Sequence, residues 1–423
     1  MAFLGMRGSG DWAPNERPEN WRETILYLYP NGSAPLTAMT SMMGSDRTDD
    51  PVFHWWTKTL PEQGGDVTDL FADANLSSAI AAAKNGGDVV YAQVGAETAS
   101  EFRRGHTALI HKEGELNSEF AGEVVSVLSN GTQSYVAVKL HDGASTTQLT
   151  ANTLDIEVIG NANAEGAEMP DSISYNPVEY DNFTQIFRTP LSITRTARRT
   201  RLRTGDAYTE RKRETLEIHA IEIEKATLWG YKSSKIGANG KPKRTTEGII
   251  PFIKANASEN VNSFLQNAAY TGTWSAEGED WLHAQLERIF RFGQPEKLGL
   301  VGNKALLALN KLAQTSAEVN IEPMTVAYGM RVLEWITPFG TVYLKTHPLF
   351  NRRKLMQRDM LIVEPEKMMF RYVDDTFFID DPEDQRNRNN SRDGTEEEYL
   401  TEGGYEYHHP ETMGYLTDFG LDN

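Results

Sequence analysis

Four groups of side chains in this 423-residue chain have the types and spacing to do chemistry. The adjacent pair His408-His409, flanked by Glu406 and Glu411, carries metal-ligating atoms. Neighbouring histidines in a strand point to opposite faces, so one ion would not take both, and ordinary packing is the better reading. Asp374, Asp375, Asp380, Asp381, Glu383 and Asp384 bunch enough carboxylates to bind a divalent cation. Their spacing matches no known cation loop and Pro382 interrupts them, which favours a solvated loop or an inter-subunit salt bridge. Arg195, Arg198, Arg199, Arg201 and Arg203 form the concentrated basic run. Guanidinium forks suit phosphates and carboxylates alike, and in so acidic a chain the carboxylates of a neighbouring subunit are the expected partners. Trp55 and Trp56, beside Phe53 and His54, could form a ligand platform, but the reading preferred here is a core or interface anchor. Trp55, Trp56, the five arginines, Asp380 and Asp381 are therefore expected at subunit contacts.

Nothing in the spacing points to a reaction. The chain has no Walker A run, no HExxH, no GxSxG elbow, no EF-hand loop and no GxGxxG after a strand. No catalytic, cofactor-binding or metal residue is expected, and no cofactor. The absence of cysteine excludes disulfides, thiol catalysis and cysteine-ligated metals. A formal net charge of −18 argues against nucleic-acid binding by the chain as a whole. The opening MAFLGMRGSGDW lacks a signal-peptide core and no window approaches a membrane span, so a soluble, intracellular protein with no membrane partner is expected.

The elements that must position these groups follow from periodicity and punctuation. Residues 1–50, rich in Gly, Pro, Asn and Ser, read as an irregular arm, with PLTAMTSMMGS holding at most one apolar turn. VFHWWTKTL after Pro51 reads as an aromatic strand. Between 76 and 159, five short β-runs (88–94, 107–111, 123–128, 135–140 and 154–158) alternate with turn signals such as Asn130-Gly131 and Asp142-Gly143. They predict a small, self-contained barrel or sandwich. Residues 171–200 read as extended. Asp206 caps a predicted helix over 207–229, about 34 Å long. Leu216, Ala220, Ile223 and Thr227 form one apolar stripe on it, and Ile218, Ile221 and Leu228 a second, so packing on two sides is expected.

Beyond a basic loop at 232–244, the pattern turns to α/β. Helices are predicted at 280–292 and 304–314, the second capped by Asn303, with strands at 298–301, 331–336, 340–345, 360–363, 368–372, 399–408 and 413–416. Residues 380–397 read as a polar loop. The extended Arg-rich segment leads directly into the long charged helix. A projecting two-stranded arm is marginal by itself, so an arm of this kind is expected to lean on a neighbour.

The ordered segments Asn176-Pro177, Asn182, Thr184 to Phe187, Thr196-Ala197 and Glu214 to Ala226 resemble the extended-loop and spine-helix region of tailed-phage major capsid proteins. The closing TEGGYEYHHPETMGYLTDFG is similar to that group's final strands, with His409-Pro410 where an Asn-Pro-like turn is usual. PLTAMTSMM and PVFHWWTKTLP are similar to its opening. The resemblance implies an α+β chain of the Hong Kong 97 phage capsid fold with a small all-β insertion domain. It places an N-terminal arm at 1–50 and an extended loop at 51–203 containing the 76–159 insertion. A spine helix and its following loop then occupy 204–249, an axial domain 250–330, and returning strands 331–423.

What it implies about function is containment: hexamers and pentamers of an icosahedral head around double-stranded DNA, assembled in the host cytoplasm. The expected partners are copies of the chain, packaged DNA held without specific binding, a portal, and a cement protein on the insertion. If Met1 begins the mature subunit, a separate scaffolding protein is expected. Other readings stay open: an encapsulin-like compartment, a tail or baseplate protein, or a polysaccharide-active enzyme using a carboxylate pair.

Overall fold

The computed structural model describes residues 43–58, 61, 63–112, 118–149, 154–166, 168–200, 206–315, 320–327, 330–352, 356–380 and 394–422. The chain divides into two compact units: residues 56–178 form one, and residues 1–55 with 179–423 form the other. Most of the expected arm, together with Arg201, Arg203 and Asp381, lies outside the described residues. Within the described end of the arm, β1 (Gly44–Arg47) is a strand where irregular chain was expected. It is followed by β2 (Val52–Thr57).

The 56–178 unit is a closed six-stranded barrel. Its strands are β3 (Gly64–Phe71), β4 (Val89–Val94), β5 (His106–Lys112), β6 (Phe120–Leu128), β7 (Tyr135–Leu140) and β8 (Leu154–Asn161), in the order β3-β4-β7-β6-β5-β8. Alternation along each strand sends Val90, Ala92, Val94, Ala108, Ile110, Val124, Val136, Val138, Leu154 and Ile156 inward, all buried. The sixth strand, β3, lies outside the five runs legible in the sequence. A register shift between Val67 and Asp69 puts an extra residue between its buried side chains, so Val67 and Leu70 stand three apart and the two-residue period is lost. Gly122 is required where β6 presses on β7: a Cβ there would lie 2.3 Å from the Lys139 carbonyl oxygen.

The second unit resumes with β9 (Val178–Phe183), paired with β2, and β10 (Gln185–Thr194). The segment expected to stay extended to 200 instead makes a helical turn at Arg195–Arg199, because the Thr194 hydroxyl accepts the Ala197 amide and caps it. The long helix α1 runs Ala207–Trp229, and Asp206 caps it by accepting the Thr209 amide at 3.0 Å. Residues 232–244 form a ribbon, β11 (Ser233–Ile236) with β12 (Pro242–Thr245), where a basic loop was expected. Next come α2 (Ile249–Asn256), β13 (Val261–Ser263), α3 (Trp274–Phe290), β14 (Glu296–Val301) and α4 (Asn303–Thr315). Strands β15 (Asn320–Ala327), β16 (Met330–Thr337), β17 (Gly340–Thr346), β18 (Met360–Val363), β19 (Met368–Ile379), β20 (Gly394–Tyr407) and β21 (Gly414–Thr417) complete the chain.

Two sheets organise this unit. The larger has the order β13-β21-β18-β14-β17-β16-β15. The β18 segment MLIV is buried throughout, as a strand covered on both faces must be. Leu361 and Val363 pack with α2, while Met360 and Ile362 pack with α3 and α4 around Trp281. The smaller sheet, β1-β19-β20-β10, carries α1. Its β20 takes in residues 394–397, where a polar loop was expected; Glu397 pairs with Leu191 of β10.

Candidate functional site

The α1 helix lies on its sheet through a polar seam. The stripe of Leu216, Ala220, Ile223 and Thr227 does not face inward as a whole: Leu216 is 43% exposed, and Ile218 of the second stripe 47%. The helix instead buries Thr215, His219, Ile223, Glu224, Thr227 and Leu228. It is rotated this way because the sheet offers hydroxyls. His219 Nδ1 sits 2.8 Å from the Thr189 hydroxyl of β10, and Nε2 2.8 Å from the Thr401 hydroxyl of β20. Thr401 in turn meets the Thr376 hydroxyl of β19 at 2.8 Å. Burial holds the His219 imidazole below its usual range, with Glu222 opposing. Every ring nitrogen is thus satisfied with the histidine neutral.

One turn further, Glu224 meets His347, both fully enclosed, at 2.8 Å. The Leu349 amide donates to His347 Nδ1, so the ring proton sits on Nε2 and goes to the Glu224 carboxylate. This joins the long helix to the segment that follows β17. In the larger sheet, the Lys297 ammonium donates to Glu364 Oε1 at 2.6 Å and to the carbonyls of Thr412 and Phe292. Burial pushes Lys297 below the usual lysine range while Glu364 opposes the fall. Neither cluster opens to solvent, and neither has the approach a substrate would need.

The expected contact residues divide. Trp55 is buried in its own chain: its indole N–H donates to the Tyr407 carbonyl at 3.0 Å, and its ring packs on Phe53, Tyr180 and Phe252. It therefore serves the core of its own chain, where a subunit contact was expected. Trp56, on the opposite face of the same strand, is 61% exposed. Arg195 and Arg199 are exposed on the helical turn, whereas the Arg198 guanidinium lies 4.4 Å over the Tyr208 ring. Tyr208 donates to Glu397 at 2.7 Å. Burial raises the Glu397 carboxyl, Asp380 adds to the rise, and Tyr208 and Arg198 oppose it. Arg198 of the arginine run and Asp380 of the acidic cluster thus both act on Glu397 within one chain. Tyr208 and Glu397 were missed from the sequence because their partners are nearly 190 residues apart.

His408 and His409 are not adjacent strand residues. β20 ends at Tyr407, and His409 has a left-handed φ of 52° in the turn before Pro410. His408 Nε2 pairs with Glu406 at 2.5 Å, and Arg371 holds the other Glu406 oxygen at 2.6 Å. Among the described residues no group of three or more His, Asp or Glu could hold a metal ion. Nor, among them, is any helix long and apolar enough to cross a membrane.

Comparison with known proteins places this architecture. Residues 8–420 match the family described as SU10 major capsid protein. The chain belongs to that family. It is also 27% identical over 359 residues to the major capsid protein of Pseudomonas phage PaMx41, covering 83% of this chain and 78% of that one. Among solved structures, chains from Mycobacterium phage Bobi and Microbacterium phage Oxtober96 align over 95% of both partners, at 8% and 9% identity with TM-scores of 0.44 and 0.42. The holo-SrpI encapsulin complex of Synechococcus elongatus PCC 7942 aligns over 60% of this chain and 80% of its own, at 14% identity and a TM-score of 0.38. In a major capsid protein the working parts are the surfaces that meet other copies. Among the residues expected at such contacts, Trp56, Arg195 and Arg199 are exposed and Trp55 is buried.

Proposed function

We propose that the chain is the repeating subunit of an icosahedral phage head, assembling as hexamers and pentamers around double-stranded DNA without catalysing a reaction. The observation that carries this is the family match over residues 8–420. The physical layout agrees. The folded chain keeps large apolar side chains such as Trp56 and Ile218 at its surface, where obligate contacts between copies would bury them. Heterologous contacts of one kind close into rings when their rotation permits. In the Hong Kong 97 arrangement, residues 51–203 would be the extended loop with its inserted barrel. The segment 204–249 would be the spine helix with its following ribbon, 250–330 the axial domain and 331–423 the returning strands.

Assembly in the host cytoplasm, a portal, a separate scaffolding protein and a cement protein on the barrel belong to the same reading. An acidic subunit also suits a container: a negative inner wall would repel packaged DNA and hold it without binding. Negative-stain electron microscopy of the purified full chain, with and without the candidate scaffold, tests the proposal. Polyhedra or five- and six-fold rings are expected. A small oligomer that never forms rings would overturn it.

A further inference from the structure

The basic ribbon β11–β12 is a built feature in an acidic chain. Lys232, Lys235, Lys241, Lys243 and Arg244 stand in thirteen residues without an acid among them. Its base is fixed: Lys232 pairs with Asp181 at 2.6 Å, and the Thr245 hydroxyl donates to the Tyr231 carbonyl at 2.6 Å. Its tip is closed by Gly237 N–H donating to the Lys241 carbonyl at 2.8 Å. The two strands form a sheet of their own. Lys235 and Lys243 face each other across it, both exposed and, among the described residues, without an ion pair. Like charges at directly opposed positions work against a two-stranded ribbon, so this one is built to receive an anionic surface. Beside them Ile236 is 80% exposed. An exposed isoleucine gains nothing from a phosphate backbone and much from a protein face.

The same chain carries the complement. β1 pairs with β19 only from Met369 to Tyr372, so beyond Tyr372 the β19 edge has no neighbour on that side among the described residues. That stretch exposes Asp374, Asp375 and Asp380, and between them Phe377 at 42% and Ile379 at 39%. A single-sign edge repels its own kind, which guards it against self-pairing, yet attracts a ribbon of opposite sign. The geometry points to the β11–β12 ribbon of one subunit docking on the open β19 edge of a second copy. Lys235 and Lys243 would face Asp374 and Asp375, with Ile236 against Phe377 and Ile379. This contact rests on the reading of the chain as a self-assembling shell subunit.

The test uses three full-length variants beside the wild type: K235E/K241E/K243E, D374K/D375K and their combination. Circular dichroism would show that each is folded, and electron microscopy and sedimentation would read the assembly. All five positions are solvent-facing, so folding should persist. Each reversal by itself should abolish rings and shells, and the combination should restore them. Wild-type assembly by either single-sign variant would overturn the contact. So would failure of the combination to restore it. Shells formed normally by the lysine reversal but retaining less DNA would overturn it in favour of a phosphate partner. If the wild type itself forms no rings, the shell reading fails instead.

Discussion

The barrel and the helix-bearing unit solve burial in opposite ways. Among the described residues of 56–178, no Asp, Glu, Lys or Arg is buried, and the interior is Val, Ala, Ile, Leu and Phe. The other unit buries Glu224, Lys297, Asp359, Glu364, Glu397 and Glu406. An apolar interior tolerates many packings of similar energy, whereas an enclosed ion requires its partner at one distance. The barrel can hold together by burial alone. The helix-bearing unit uses charges that add little stability of their own but disfavour alternative arrangements, as a subunit that must present fixed surfaces to several copies requires.

Breaking the pair Lys297–Glu364 should show the largest effect. Lys297→Ala leaves the Glu364 carboxylate enclosed and should cost about 3–5 kcal/mol, read by urea unfolding of the unassembled subunit. Lys297→Met with Glu364→Leu should recover most of it. If the double variant is as unstable as the single one, the buried ions do supply stability and the contrast with the barrel fails.

In the barrel, Ile110→Ala should cost about 2–5 kcal/mol through the cavity it leaves, and hydrogen exchange should rise across β3–β8 while the protection of α1 is unchanged. Loss of protection in both units would mean that the two do not unfold separately.

Asp359 sharpens the comparison through pH. Burial raises its carboxyl from 3.8 to about 6, against the Tyr415 hydroxyl that donates to it at 2.5 Å. A raised carboxyl means that the folded state holds the proton longer. Its stabilising contribution is present below pH 3.8 and is lost as pH rises through about 6. Two pH units correspond to about 3 kcal/mol. Asp359→Asn should therefore be the more stable protein at pH 7, with the advantage gone by pH 4. A parallel pH profile for variant and wild type would assign the dependence elsewhere.

The smallest effect is expected in the seam. Thr401→Val keeps the shape but leaves His219 Nε2 without its hydroxyl, at about 1–3 kcal/mol. A neutral outcome would show that the seam is not needed to seat the helix.

Legibility followed the same divide. The barrel strands β4 to β8 could be read from alternation because their interiors are dry, and β3 escaped only where a register shift broke the period. The long helix was legible to the residue, since Asp206 is a cap by type and Trp229 precedes Gly230. Which way that helix faces was not. His219 and Glu224 look like solvent-side residues until Thr189 and Thr401 are brought to the first and His347 to the second, and those lie 30, 182 and 123 residues away. For the same reason Trp55 and Trp56, identical in sequence terms, could not be told apart: which one meets Tyr407 depends on strand register. The α2 helix was hidden by being short and apolar nearly all round.

The barrel leaves and rejoins the rest of the chain through β2 and β9, two strands hydrogen-bonded to each other. A cut at each therefore frees a segment whose two ends lie about one strand spacing, roughly 4.8 Å, apart. For a genome that evolves by exchanging pieces, such a segment is a cassette. A recombination event that trades residues 56–178 for a shorter turn, a longer domain or a foreign binding module must only restore two neighbouring ends. The β2–β9 pair that receives it needs no redesign, and the subunit changes one domain without changing its frame.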